Sequence, residues 1–325
     1  MSDKTNILTY ISQQTTAVSM QQISGAVPFN VTDRTVRRWL NEAANAGDII
    51  IQGHKRSTTY LCTAKGKGNT PFRFLKGKSP ALQEQTLKLL RDFWTHHSTA
   101  IEGNTLTLGD TQFILDEGLT VSGKPIKEHQ EVIGHASAIE LVYRMLQTGI
   151  TKANLFELHK AIQTDVINDI YKPYGAWKVE PNGTRIINEN GKPTYLEYAH
   201  PLHVDTLMAE VISFINNRND FSSAQSAINT YTKVHAAIAH IHPFWDGNGR
   251  IARLAANIPM LKAGLPPIVI PNERRREYIR LLANYELQAG QLNNDSGAWP
   301  QVELLEAFEQ FCSECYDATL RSIEM

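Results

Sequence analysis

"HPFWDGNGR", His242 to Arg250, sets a candidate proton acceptor, a carboxylate, two glycines, an asparagine and an arginine within nine residues. The segment before it carries Ile228, Tyr231, Val234, Ile238 and Ile241 on one stripe at helical spacing,. Pro243 disfavours helical backbone at the residue before it, which puts His242 at the helix end, free to face a cleft. Phe244 is expected to turn inward as an anchor, with Asp246 able to reach a cation. Gly247, Asn248 and Gly249 let successive backbone N–H groups converge, because glycine accepts angles that other residues resist. RIARLAANI then reads as the start of a helix, and Pro259 should kink or end it. Backbone donors at a helix N-terminus, with Arg250 and Arg253 on nearby turns, suit an anion with several phosphates.

A histidine beside such a site can take a proton from an attacking hydroxyl, and a carboxylate can hold Mg²⁺ that bridges phosphate oxygens. Together they imply nucleotidyl or phosphoryl transfer. Two other readings stand beside this one. D-G-N-G is ordinary chemistry for a turn between helices, and His235, His240 and His242 could form a zinc cluster, although no complete ligand set lies nearby.

Outward from the motif the chain reads as mainly helical, with apolar residues three and four apart in 81–104, 107–116, 127–147, 152–168, 204–217 and from 224 to the C-terminus,. The exception is TRIINENGKPTYLEYAHP, 184–201, whose β-branched and aromatic residues flank Asn190-Gly191, a strong hairpin turn signal. Cys312 and Cys315 form a lone C-x-x-C inside a helical pattern. Without a second ligand pair they read as packing residues rather than a metal or redox pair.

The first 62 residues read as three short helices and a hairpin. In the third helix Thr32 or Asp33 can cap the start, Val36, Trp39, Leu40 and Ala43 face inward, and Arg34, Arg37 and Arg38 fall outside that face. The hairpin pairs Ile49–Ile51 with a strand through Tyr60 and Leu61 around a basic turn, 53–56. Residues 1–67 hold eight Lys and Arg against four Asp and Glu, so this segment is basic and the remainder acidic. Helices followed by a basic-tipped hairpin resemble a winged helix-turn-helix domain, whose arginine-faced helix would enter a major groove. Docking or dimerisation is the competing use of such a domain, because fold alone does not settle function. Residues 63–80 then lose periodicity to glycine, lysine and proline. The expected domains are 1–66, a linker at 67–80, and 81–325.

With 42% hydrophobic residues among 325, the chain can bury one substantial core and a small second one,. Thirty-two basic and 33 acidic side chains give a formal charge of −1, which supplies no global pull toward nucleic acid,. No stretch approaches the roughly 18 consecutive apolar residues of a membrane span, and the start lacks a signal-peptide pattern. A cytoplasmic protein with no membrane partner is expected. Three cysteines make no disulfide framework,.

His242 through Arg250, followed by Arg253, resembles the full signature of the Fic family, with similarity extending over 75–290 through IEGNTLTL and SGKPIKEHQEV. The resemblance implies a mainly α protein with a Fic-type helical core and a short β-hairpin flap, preceded by the winged helix. It also implies transfer of AMP from ATP to a Ser, Thr or Tyr hydroxyl of a target protein. His242 would be the general base and Asp246 the Mg²⁺ ligand. Gly247, Asn248 and Gly249 would hold the inner phosphates, with Arg250 and Arg253 on the outer ones. The retained Gly249 favours AMP transfer over phosphorylation, and the flap at 184–201 would align the target as an added strand.

Ser98-Thr99-Ala100-Ile101-Glu102-Gly103-Asn104 resembles the inhibitory motif S/T-x-x-x-E-G/N of that family, pairing Glu102 with Arg253. A carboxylate there takes up the charge meant for a phosphate, and it could also orient a water to remove AMP. Otherwise Glu102 is a solvated helix-end residue. Tyr278 falls where an aromatic residue lines the nucleobase. The family's downstream asparagine finds no clean counterpart, Asn284 being two positions early. The expected partners are ATP, a target protein at the flap, and DNA at 1–66. The oligomeric state stays open, a homodimer included.

Overall fold

The protein is described from a computed structural model that covers residues 3–324 except 13, 15, 30, 46–47, 54–57, 63–70, 165–168, 188–191 and 219–220. Two hydrophobic cores share no residue. The smaller is built by α1 (Asp3–Ser12), α2 (Met20–Ala26), α3 (Asp33–Asn45) and a three-stranded antiparallel sheet. Its strands are β1 (Val18–Ser19), β2 (Ile49–Gln52) and β3 (Thr59–Cys62), in the order β1-β3-β2. β1 pairs Val18 with Tyr60, a short strand that no sequence signal announced. Ser19 caps α2 through a reciprocal bond with Gln22,, and Thr32 accepts from the Thr35 N–H at the start of α3,. Val36, Leu40 and Ala43 are buried and Trp39 packs at their margin, while Arg34, Arg37 and Arg38 are exposed. The tip of the hairpin, 54–57, lies outside the described residues.

The larger core gathers α4 (Pro80–Ile101), α6 (Ile126–Thr148), α7 (Lys152–Ile162), α8 (Pro201–Asn217), α9 (Ala224–Ile241), α10 (Asn248–Ala255), α11 (Asn257–Lys262), α12 (Arg275–Ala289) and α13 (Glu306–Glu324), while α5 (Leu108–Glu117) packs on α4 and α6 over a small separate cluster of Leu106, Ile114 and Val132. α9 is buried along nearly its whole length, and α8, α10, α11 and α13 pack around it. Between α7 and α8 runs a hairpin of β4 (Gly183–Ile187) and β5 (Pro193–Glu197), with Thr184 opposite Leu196 and Arg185 opposite Tyr195. The turn signal at Asn190-Gly191 lies outside the described residues.

Two expectations need adjusting. The segment read as linker up to residue 80 is docked before that: Phe72 and Phe74 pack on the larger core, Leu75 is buried, and the Phe74 N–H donates to the Gly264 carbonyl at 2.9 Å. Apolar burial overrides the loop-like composition there, and 63–70 lies outside the described residues. α7 stops at Ile162 rather than Asn168. The break expected from Pro259 is present: Pro259 sits inside α11, and the motif helix is interrupted one turn earlier, at Ala256, because proline withholds an N–H from the carbonyl four residues back,. Cys312 and Cys315 are buried in α13 as packing residues.

Candidate functional site

The nine-residue motif forms the turn from α9 to α10. His242 adopts a left-handed backbone, φ 52° and ψ 58°, and its N–H closes α9 on the Ile238 carbonyl at 3.0 Å. Such a cap normally calls for glycine, and a side chain there costs on the order of 1 kcal/mol. Surrounding groups hold it. The Lys178 backbone N–H donates to the Pro243 carbonyl at 2.9 Å, and its Nζ donates to the Ile241 carbonyl at 3.3 Å and to Asn182 Oδ1 at 2.6 Å. Asn182 Nδ2 donates to the Phe244 carbonyl at 3.1 Å. Phe244 is fully buried, stacked on His159 with ring centroids 4.2 Å apart.

Asn248 spends its side chain inside the same turn: Oδ1 accepts from the Phe244 N–H and Nδ2 donates to the Phe244 carbonyl, both at 2.8 Å. Its expected phosphate contact is therefore left to its backbone N–H, which with those of Gly247 and Gly249 opens α10,. Gly247 has φ +78°, and a Cβ there would meet Ile162 Cδ1 at 3.0 Å.

The His242 ring lies parallel to Tyr198, with centroids 3.8 Å apart. Its Nδ1 is 3.1 Å from the Ala239 carbonyl, which can only accept, so Nδ1 carries the proton and Nε2 keeps its lone pair,. Burial, with the nearby Lys178 adding to it, pushes the imidazole down to about 3, so the ring is neutral at physiological pH,. Lys178 itself is pushed down to about 7 by burial.

Arg253 is buried, with every guanidinium nitrogen engaged. Nε donates to Ser98 Oγ at 3.0 Å, Nη2 to the Ser98 carbonyl at 2.9 Å and to Glu102 Oε1 at 2.6 Å, and Nη1 to the Tyr278 hydroxyl at 3.3 Å. Glu102, the C-cap of α4, leaves 40% of its side chain exposed toward the cavity beside it. Burial opposes its ionisation, but Arg253, aided by Arg250 and Arg275, outweighs that and holds the carboxyl below its usual range. Gly249 makes room for this contact, since a Cβ there would lie 2.7 Å from Glu102 Oε1. The carboxylate thus sits at the N-terminus of α10, where an anion is favoured. Gly103 follows with φ +106° and lets the chain leave the helix. Arg275 donates to the Ile101 carbonyl at 2.6 Å and fastens the end of α4 to α12.

Arg250 Nη1 donates to the Ile162 carbonyl at 2.9 Å, while its Nε is buried without a partner among the described residues. Asp246, its side chain 53% exposed, stands 3.8 Å from Arg250 Nη2. A cavity of about 340 Å³ is lined by Glu102, Gly249, Arg253, His242, Tyr198, Thr184–Ile186 and the face of α12 from Arg275 through Tyr278 to Glu286. Asn284 is not on that face. A larger groove between α9 and α13 is lined by acidic Glu303, Glu306 and Glu309 with Lys233, and holds none of the motif residues.

Residues 150–260, which hold this turn and both arginines, match the model of the Fic/DOC family. The chain is homologous to the Fic protein adenylyltransferases. It is 35% identical over 249 residues to protein adenylyltransferase fic-1 of Caenorhabditis elegans, covering 73% of this chain and 45% of that one. It is 30% identical over 227 residues to protein adenylyltransferase Fic of Drosophila willistoni, covering 69% and 40% respectively. The chain thus spans less than half the length of these relatives. Among solved structures, a Fic domain-containing signalling protein from Bacteroides thetaiotaomicron superposes with a TM-score of 0.66 at 26% identity, covering 78% of this chain and 92% of that one.

Sequence reasoning missed Lys178, Asn182, Tyr198, Arg275 and Glu286. A lysine in the short, aromatic-rich stretch GAWK was the one signal on offer. The others are ordinary residue types whose role comes from where the chain returns. Arg34, Arg37 and Arg38 belong to the smaller core's surface, on the open face of α3 with Asn41, Glu42 and Asn45.

Proposed function

We propose that the chain transfers AMP from ATP to a hydroxyl of a target protein and restrains itself through Glu102. The supporting observation is the Glu102–Arg253 contact at 2.6 Å over Gly249, within one cavity that also holds the neutral His242. In this reading His242 Nε2 takes the proton of the attacking hydroxyl, whose oxygen bonds to the α-phosphorus as pyrophosphate leaves. The first N–H groups of α10, Arg250 and a released Arg253 stabilise the departing charge. Arg250 Nε, buried and unpartnered among the described residues, fits an incoming anion,. Asp246, an exposed carboxylate beside the turn, fits the sparse protein ligation that Mg²⁺ takes alongside phosphates,. When bound, Mg²⁺ would neutralise phosphate charge.

β4 and β5 form a two-stranded sheet whose residues 184–186 line the cavity, a site where an extended target segment would be presented to His242,. The test is label transfer from α-labelled ATP with Mg²⁺ by the parent chain, Glu102→Gly, and Glu102→Gly with His242→Ala. Strong labelling by the single variant alone is the expected outcome. Nucleotide binding without transfer in all three would favour an ATP-sensing regulator.

For the smaller core we propose a winged helix that contacts DNA through α3, supported by the exposure of Arg34, Arg37 and Arg38 on one open face. Replacing all three with alanine should weaken duplex binding and lower its log–log salt slope by about 3. Anisotropy titrations at several salt concentrations measure this, and salt-independent or absent binding would assign the face to protein docking instead.

A further inference from the structure

The Arg253 guanidinium is bonded twice to Ser98, once to Glu102 and once to the Tyr278 hydroxyl. Only the Glu102 contact belongs to the restraint. When that carboxylate withdraws, Ser98 and Tyr278 are what keep the guanidinium in place, with the vacated Nη2 N–H left to meet an anion. Ser98 grips the edge formed by Nε and Nη2, and Tyr278 grips Nη1.

The Tyr278 hydroxyl is itself held. A guanidinium only donates, so the phenol oxygen accepts from Nη1 and its own proton must go elsewhere,. The acceptor within reach among the described residues is His235 Nε2, at 3.2 Å. Burial pushes the phenol up to about 12 and the imidazole down to about 3, so the first keeps its proton and the second its lone pair,. The chain of bonds runs from His235 on α9 through Tyr278 on α12 to Arg253 on α10, and all three side chains are buried.

His235 lies outside the cavity lining, one ring behind it. Tyr231, Tyr278 and Phe308 cage it, with ring centroids between 5.2 and 5.7 Å from its own. With Nε2 accepting, Nδ1 carries the ring's proton, and that nitrogen is buried with no partner among the described residues. An orphan donor in an aromatic cage is destabilising, and a phenylalanine would fill the same space without it. What phenylalanine lacks is an acceptor for the Tyr278 proton.

We propose that His235 and Tyr278 are positioning residues that hold Arg253 ready for the outer phosphates of ATP, His235 acting through Tyr278. The inference rests on Arg253 serving those phosphates, as in the transfer proposed above. It gives Tyr278 a polar duty at the phosphate end, distinct from the nucleobase contact that the family resemblance implied.

The experiment compares dissociation constants of ATP and AMP by calorimetry, in the Glu102→Gly chain so that the restraint is absent. AMP lacks the outer phosphates and reports on the rest of the site. Tyr278→Phe and His235→Phe should each weaken ATP by about tenfold, as loss of one charge-assisted hydrogen bond allows, and leave AMP unchanged. Tyr278→Phe removes one oxygen and keeps the ring, so it decides the matter even where His235→Phe unsettles the core. Neither change should cost ATP anything further in an Arg253→Ala chain, because the guanidinium they hold is gone. His235→Gln, which returns a carbonyl acceptor, should recover most of the loss. Equal weakening of ATP and AMP by Tyr278→Phe, or undiminished affinity for ATP, overturns the positioning assignment. So does a further loss in the Arg253→Ala chain, which would mark both residues as packing. If Arg253→Ala itself leaves the ATP-to-AMP ratio untouched, Arg253 does not serve the outer phosphates, and that reading falls together with this one.

Discussion

At the residue scale, the proposed restraint puts Glu102 where the reading needs a phosphate. It lies at a helix N-terminus, bonded to a buried arginine, over a glycine with no side chain to keep it out. Breaking a charge-assisted hydrogen bond of this kind is worth about 1.5–3 kcal/mol. Glu102→Gly should therefore raise AMP transfer by roughly ten- to a hundredfold, read as initial labelling rate. Lys178 supplies a second case. It holds the carbonyls on either side of His242, together with Asn182, and meets the cavity lining through the Tyr198 ring, its Nζ 6.0 Å from the centroid. In the Glu102→Gly background, Lys178→Met should lower kcat by about ten- to a hundredfold with little change in the KM for ATP, because a shifted base misplaces the proton transfer and not the phosphates. Lys178→Arg should recover most of the rate, which a loss of packing alone would not predict.

At the element scale, the turn is held from behind by α7, which supplies the Ile162 carbonyl to Arg250 and the His159 ring to Phe244. α7 in turn packs closely on α6 at Gly134, where a Cβ would fall 2.2 Å from the Ala161 carbonyl oxygen. Gly134→Ala must push the two helices apart, and such overpacking costs about 1–3 kcal/mol. Urea unfolding should show a lower midpoint at unchanged slope, since the surface exposed on unfolding stays the same. Most of these elements were legible beforehand. Periodicity located the helices of the larger core, and β-branched runs located both hairpins. The docked segment at 72–75 and strand β1 were not legible, because two aromatics in a glycine- and lysine-rich stretch, or two residues of strand, make no period.

At the scale of the whole molecule, the larger core holds an unusual number of neutral histidines. Burial depresses His135, takes His159 and His240 to about 4, and takes His235 and His242 to about 3. Below the ordinary imidazole value of 6.5 the unfolded chain binds protons that the folded chain refuses. Stability is therefore full above that value and is lost as pH falls from 6.5 toward 4, by about 1.4 kcal/mol per unit for each proton withheld. Glu286 acts in the opposite direction, since its raised pKa favours the fold below 4.5 and loses that contribution as pH rises toward 8. Five histidines outweigh one glutamate in the acid range, so Tm should drop steeply between pH 6.5 and pH 5, as calorimetry at fixed ionic strength would register.

The sequence by itself determined the helical class, the two hairpins, and the turn from His242 to Arg250. Those depend on short-range rules: apolar spacing, the effect of proline on its predecessor, and the angles open to glycine. It also paired Glu102 with Arg253 across 151 positions, but only because both sit in patterns that resemble a known family. Tertiary structure alone decided that Asn248 braces the turn, that Lys178 and Tyr198 flank the base, and that Glu286 ends the cavity. Each of these depends on burial and on which distant carbonyl, ring or wall the folded chain brings alongside. Such neighbours leave no mark in local spacing, because the energy that places them comes from packing the whole core.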